Sequence, residues 1–258
     1  METQTDPRRT IFRRLTFYSV LGGLCPLIPV PFVDDWALGQ VQRRMLSEVA
    51  QAAGVALSSR ERKILAGGGE SGWPGCFGSI AWAIREVVGA LLGWLFRTVF
   101  YFLTIRRSAR RSAETLHLGY LVNHALRLGS AALPPSLTSE DRARAIRAAA
   151  MKTLEQVDDK AIHRTLIRDF RRSLSLLLQA AALLRRFLPR RRKRRDADLA
   201  AESEVFHREE ELLGGFVDRL SADLFGNQAY FAELERLFEG NLKVIGAPPP
   251  HAPAATER

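Results

Sequence analysis

The sequence predicts an all-α protein, a multi-helix bundle with one long apolar helix that is a candidate to span a membrane. No segment alternates apolar and polar residues over a strand's length, and no hairpin dipeptide separates two apolar runs. In residues 34–53, apolar side chains instead recur at steps of three to five, as on one face of a helix. Prolines and glycines divide the chain into segments of helical length.

The first part of the chain carries start and stop signals for three helices, at residues 10–24, 34–53 and 58–65. Pro26 ends the first of these helices because proline lacks an amide donor and crowds the preceding turn. Asp34 is predicted as the N-cap of the second helix, and Gly54 as the glycine that ends it. Ser58 or Ser59 caps the third, and the glycine-rich residues 67–75 form a loop.

The rest of the chain predicts helices at 77–105, 108–128, 138–157, 160–188 and 197–213, and a last one reaching 238. The helix from 108 either continues from the one before it or folds back on it. Thr138 with Asp141 three residues later is typical of a capping box. Gly214 and Gly215 are expected to interrupt the acidic helix. The predicted organisation is a disordered start (1–7), a helical membrane-associated domain (8–195), an acidic helical segment (196–240) and a disordered proline-rich tail (241–258).

The charges of the chain are divided between two regions. Residues 106–195 hold 22 Lys and Arg against 7 Asp and Glu, whereas residues 196–240 hold 3 against 12. This reversal predicts two helical faces that meet each other, or a basic face for an anionic partner that the acidic segment partly masks. Two separate solvated surfaces of opposite charge remain the alternative.

Residues 87–105 form the apolar run on which the membrane hypothesis depends. Its nineteen residues carry one charge, and a helix of this length measures about 28 Å, close to the hydrocarbon core of a bilayer. Eleven Leu, Ile, Val or Phe residues favour insertion by about 3 to 7 kcal/mol, against about 3 kcal/mol for the central arginine. The residues predicted to span the membrane or lie at its interface are Val87, Gly89, Gly93, Trp94, Phe96, Arg97, Phe100 and Ile105. The alternative is a buried helix of a soluble bundle, with the arginine paired to a carboxylate.

Two arginine clusters follow apolar helices, as at the cytoplasmic flank of a membrane segment. We predict contact with anionic lipid, a solvated face, or contact with nucleic acid for these residues. They are Arg106, Arg107, Arg185, Arg186, Arg190, Arg191, Arg192, Lys193, Arg194 and Arg195. No aromatic residue interrupts residues 190–195, and no helix-turn-helix or zinc-finger spacing accompanies them, so lipid is favoured over nucleic acid.

The sequence offers little for catalysis. His117, His124 and His163 form no ligand pair at metal-binding spacing, and no cofactor motif is present, so we predict no metal and no cofactor. Asp34 and Asp35 could act as a carboxylate pair, but helix capping explains them more simply. Two lone cysteines, Cys25 and Cys76, indicate neither a disulfide framework nor a metal site.

Residues 29–58 resemble a bacterial helical domain of unknown function that occurs alone or appended to Era-like GTPases. The similarity lies in a Pro-x-Pro-x-x-Asp motif, followed by a Gln-x-x-Met helix that closes at a glycine. The matching residues are Pro29, Pro31, Asp34, Gln42, Met45 and Gly54. The resemblance implies an α-helical protein associated with the inner membrane and supplies no catalytic residues. No GTPase motif is present in this sequence.

These observations together predict a non-catalytic, membrane-associated helical scaffold or partner-binding protein. We expect it at the cytoplasmic membrane, with most of the chain facing the cytoplasm. One alternative is a soluble helical bundle that binds nucleic acid through the arginine-rich segment. The other is an enzyme of unknown class.

Overall fold

The structure, a computed structural model, describes residues 6–27, 33–67, 97–129, 137–187 and 198–246. The chain is all-α within these ranges, which contain no strand. The helices are α1 (Pro7–Leu24), α2 (Val33–Ala52), α3 (Ser59–Leu65), α4 (Arg97–Leu128), α5 (Ser139–Gln156), α6 (Lys160–Arg172), α7 (Leu174–Phe187), α8 (Asp198–Phe225) and α9 (Gln228–Gly246). A single 3₁₀ turn (Cys25–Leu27) follows α1.

Helix α1 is the centre of the bundle. All its residues from Leu15 onward are buried, together with Cys25. A helix that is apolar on every side is stable in water only when other helices enclose it, and α1 packs against α2, α4 and α8. The start of α1 is capped by Asp6, so ordered structure begins inside the stretch predicted to be disordered.

Small residues allow α1 and α4 to approach each other closely. A Cβ on Gly22 would lie 2.6 Å from Thr115 Oγ1, and a Cβ on Gly119 would lie 2.6 Å from Leu15 Cδ2. The hydroxyls of Ser19 of α1 and Ser112 of α4 are also buried and lie 2.6 Å apart. The two helices therefore run antiparallel in close contact, with the end of α1 beside the start of the buried part of α4.

Helices α2 and α3 begin and end close to the predicted positions. Gly54 adopts φ +70° and the amide of Val55 donates to Ala50 O at 2.9 Å, which is a glycine-based helix end. Ser58 forms a complete capping box with Glu61 at the start of α3. The predicted N-cap is wrong, because α2 begins at Val33 and Asp34 is already its second residue.

The apolar stripe of α2 is confirmed only in its middle. Val41, Met45 and Val49 are buried, whereas Trp36 and Ala52 at the two ends are exposed. Gln42 and Met45, both part of the motif that carries the family resemblance, lie in the core. Their burial gives them a packing role in this chain.

Helix α4 shows which of the two predicted arrangements after residue 105 is present: the chain continues as one helix and does not fold back. The helix is continuous from Arg97 to Leu128, and Ile105, Ser108 and Ala109 are all buried. Packing against α1, α2 and α6 stabilises this part of the helix, so no turn is needed there. Arg97 and Phe100 lie in its first turns, while Val87, Gly89, Gly93, Trp94 and Phe96 lie outside the described residues.

Three predicted boundaries in the second half of the chain are wrong. The helix predicted over 160–188 is two helices that meet at Ser173. Helix α8 continues through Gly214 and Gly215, because burial of Leu213 and Phe216 outweighs the roughly 1 kcal/mol that each glycine costs. Helix α9 runs to Gly246 with Leu242 buried, so the disordered tail cannot begin at residue 241.

Among the helices of the described residues, none is both long enough and apolar enough to cross a membrane.

Candidate functional site

Two helices, α4 and α6, bring arginine-bearing turns to the end of the bundle where α1 ends. Gly23, near the end of α1, lies against the carbonyl of Ser108 in α4 and the ring of Phe170 in α6. Helix α6 therefore runs antiparallel to α4, and its last turn lies beside the turns of α4 that contain residues 105–108. The sequence separates these two turns by more than sixty residues, and only the packing around Gly23 brings them together.

Five exposed arginines cover this end of the bundle, which we call the arginine end. They are Arg106, Arg107 and Arg110 from α4, and Arg171 and Arg172 from α6. Two carboxylates lie close to them: Glu114 accepts a hydrogen bond from Arg110 at 3.0 Å, and Asp35 accepts one from Arg111 at 3.0 Å. Glu114 also binds Arg111 at 3.3 Å.

The start of α2 adds an exposed aromatic ring to the arginine end. The ion pair between Asp35 and Arg111 holds the first turn of α2 beside α4. The next residue, Trp36, is 38% exposed, one of few large apolar side chains in the described residues that face solvent. Cations and a tryptophan thus share one surface.

Acidic residues of the C-terminal segment form ion pairs with basic residues of α1 and α6. Arg13 of α1 pairs with Asp218 and Glu210 of α8, and Arg168 of α6 pairs with Asp223. These pairs favour the interpretation that the two charged regions meet as helical faces. They are exposed, so each contributes little to stability.

A hydrogen bond joins the last turn of α3 to α5, close to residue 67, where this described range ends. Arg147 Nη1 donates to Leu65 O at 2.7 Å, and a Cβ on Gly67 would collide with the same guanidinium. Burial lowers the pKa of Arg147 below its usual value, although Glu114 acts in the opposite direction. Arg147 thereby holds the last turn of α3 and the glycine after it against the bundle.

We expect Arg147→Gln to loosen α3 without unfolding the bundle, because it removes a charged donor from a helix C-terminus. Hydrogen exchange of the α3 amides should accelerate, by about tenfold if the bond contributes about 1.4 kcal/mol. Lys152→Gln, on the same helix and exposed, is the matched control and should leave these amides unchanged. Equal exchange in the two variants would contradict the role of Arg147.

Histidine and tyrosine residues join α9 to α4 through contacts that the sequence does not predict. Tyr230 Oη lies 2.7 Å from Nε2 of the fully buried His117, and His124 Nε2 lies 2.9 Å from a Glu239 oxygen. Burial, and secondarily the nearby His163, lower the pKa of His117 to about 3. Burial raises the pKa of Tyr230, so this pair is a neutral phenol donating to a neutral imidazole. The described residues contain no group of three or more side chains placed to bind a metal.

The structure gathers some of the predicted contact residues and leaves others undescribed. Arg106 and Arg107 lie at the arginine end, and the neighbouring Ile105 is 7% exposed. Arg185 and Arg186 belong to the last turn of α7. Residues 190–195 lie outside the described ranges, as do Pro29 and Pro31. Arg171, Arg172 and Trp36 were not predicted as site residues.

No family model, curated protein or solved structure matches this chain.

Proposed function

We propose that this chain is a non-catalytic helical protein that binds the surface of an anionic membrane through its arginine end. In this role it is a scaffold or partner-docking module on the cytoplasmic face of the cytoplasmic membrane. The observation that carries the proposal is the path of α4. Within this helix residues 97–105 lead directly into Arg106 and Arg107, and residues 87–96, which precede the helix in sequence, complete the apolar run.

The composition of the arginine end supports lipid as the partner. Each cation near an anionic bilayer surface contributes about 1 kcal/mol, so five arginines supply binding that salt weakens. Tryptophan is enriched at the level of lipid headgroups, where its ring is amphipathic, and Trp36 lies at this end. A cationic turn that directly follows an apolar run also has the arrangement of a cytoplasmic membrane flank.

Fractionation of cells that express the full chain tests the proposal. At low salt and after nuclease treatment, we expect the protein to sediment with the membranes. A high-salt wash separates electrostatic binding from insertion of apolar sequence, because only the former is screened. Recovery of all the protein in the soluble fraction at low salt would overturn the proposal, and loss of sedimentation after nuclease would indicate nucleic acid as the partner.

A further inference from the structure

The undescribed stretch of residues 68–96 is held by the same bundle at both of its ends. On one side, Leu65 is 1% exposed and its carbonyl accepts a hydrogen bond from Arg147. On the other side, Ile105, Ser108 and Ala109 are buried against α1 and α6. Residues 67 and 105 therefore belong to one packed body, which cannot itself straddle a bilayer.

The number of residues between these two fixed points limits how the chain can cross a membrane. A chain that leaves a body and returns to it crosses a bilayer an even number of times. Residues 68–104 number 37, whereas two helical crossings of the usual length need about 40 residues before any turn is counted. Even two crossings of about 17 residues each would have to include residues 68–75. Extended backbone is not tolerated in lipid, and residues 67–75 contain five glycines and a proline. This stretch has no room for two crossings.

No helix of the described residues and no other internal gap between them supplies a crossing. The remaining internal gaps in the described chain, residues 28–32, 130–136 and 188–197, are each far shorter than the roughly 20 residues of a membrane helix. The apolar half of α1 is enclosed by other helices and is not available to lipid.

From these constraints we infer that every described helix lies on the same face of the membrane, so that residues 87–105 do not act as a single span. The inference rests on the proposed function, because it specifies that the protein binds the bilayer from one side. Binding is one-sided, and the helices before residue 68 and after residue 105 remain accessible from the same compartment. A single span would instead place α1–α3 and α5–α9 on opposite sides.

Cysteine labelling on both sides of the stretch tests this topology. In the full chain with Cys76→Ser, we introduce either Gln51→Cys on α2 or Arg219→Cys on α8, both at exposed positions. Sealed membrane vesicles of either orientation are treated with a membrane-impermeant maleimide. We expect both cysteines to react in inside-out vesicles and both to lose labelling completely in right-side-out vesicles. Reaction of the two cysteines in vesicles of opposite orientation would overturn the inference.

Two further measurements keep the outcomes distinct. The parent with Cys76→Ser retains only Cys25, which is buried and should react only after denaturation, so it shows that the bundle is folded. If the protein does not sediment with the membranes at low salt, the proposed function fails. If it is present but the two cysteines report opposite sides, the membrane role stands and only the one-sided topology is wrong.

Discussion

Replacing Phe170 with alanine is expected to lower the free energy of unfolding by about 3 to 5 kcal/mol. The ring is 1% exposed, lies against Gly23 of α1 and is 6.1 Å from the ring of Phe216 of α8. Its removal leaves a cavity where three helices meet, next to the turn that carries Arg171 and Arg172. Urea denaturation followed by circular dichroism measures the loss.

Two further variants separate cavity formation from a general intolerance of change. Phe170→Leu fills most of the space and should cost less than the alanine variant. Gly23→Ala places a Cβ 2.9 Å from the Phe170 ring and 3.0 Å from Ser108 O, so alone it should destabilise. In the double variant with Phe170→Ala, part of the destabilisation caused by Gly23→Ala should disappear, because the ring that the new Cβ would meet is absent. Two results would contradict the described packing: effects of the two substitutions on the free energy of unfolding that simply add, or a loss below about 1 kcal/mol for Phe170→Ala alone.

Acid is expected to destabilise the protein through His117. The pKa of this histidine falls from 6.5 in the unfolded chain to about 3 in the folded protein. Between these pH values His117 binds a proton in the unfolded chain but not in the folded protein. The contribution of the neutral histidine to stability is therefore fully present above about pH 6.5 and declines as the pH falls. The expected loss between pH 6.5 and 5 is about 2 kcal/mol, measured by urea denaturation at a series of pH values.

His117→Gln isolates this contribution, because an amide can still pair with Tyr230 but does not titrate. The groups facing His117 are Tyr230 of α9, together with His163 and Asp159 at the start of α6. His163→Gln is therefore the matched control, which removes the neighbouring histidine and leaves His117 able to titrate. We expect a flatter pH dependence only for His117→Gln. The same slope in this variant and in the unchanged protein would exclude His117 as the source.

Local signals in the sequence predict most helix ends correctly. Gly54 ends α2 with a positive φ, and Ser58 and Thr138 cap α3 and α5 through their side chains. These signals succeed because a cap is a hydrogen bond within four residues of sequence, independent of the remaining fold. The all-α class follows from the same local information.

The errors occur where distant packing decides the conformation. Gly214 and Gly215 continue a helix because their neighbours Leu213 and Phe216 are buried. The sequence also leaves open whether the chain continues or folds back after Ile105, and packing against three helices decides for continuation. The arginine end is a comparable case. Arg106 and Arg107 are predicted from their position after the apolar run. Arg171, Arg172 and Trp36 join them only through the antiparallel packing of α6 and α4 and the Asp35–Arg111 ion pair.

Binding of matched arginine variants to vesicles tests the membrane-binding surface most directly. Arg106→Gln with Arg172→Gln removes two charges from the arginine end, and Arg8→Gln with Arg127→Gln removes two from the opposite end, near Tyr120. On vesicles containing anionic lipid, we expect the first pair to weaken binding by about 2 kcal/mol, roughly thirtyfold, and the second by less than about twofold. Equal losses for the two pairs, or equal binding to uncharged vesicles, would contradict the arginine end as the membrane-binding surface.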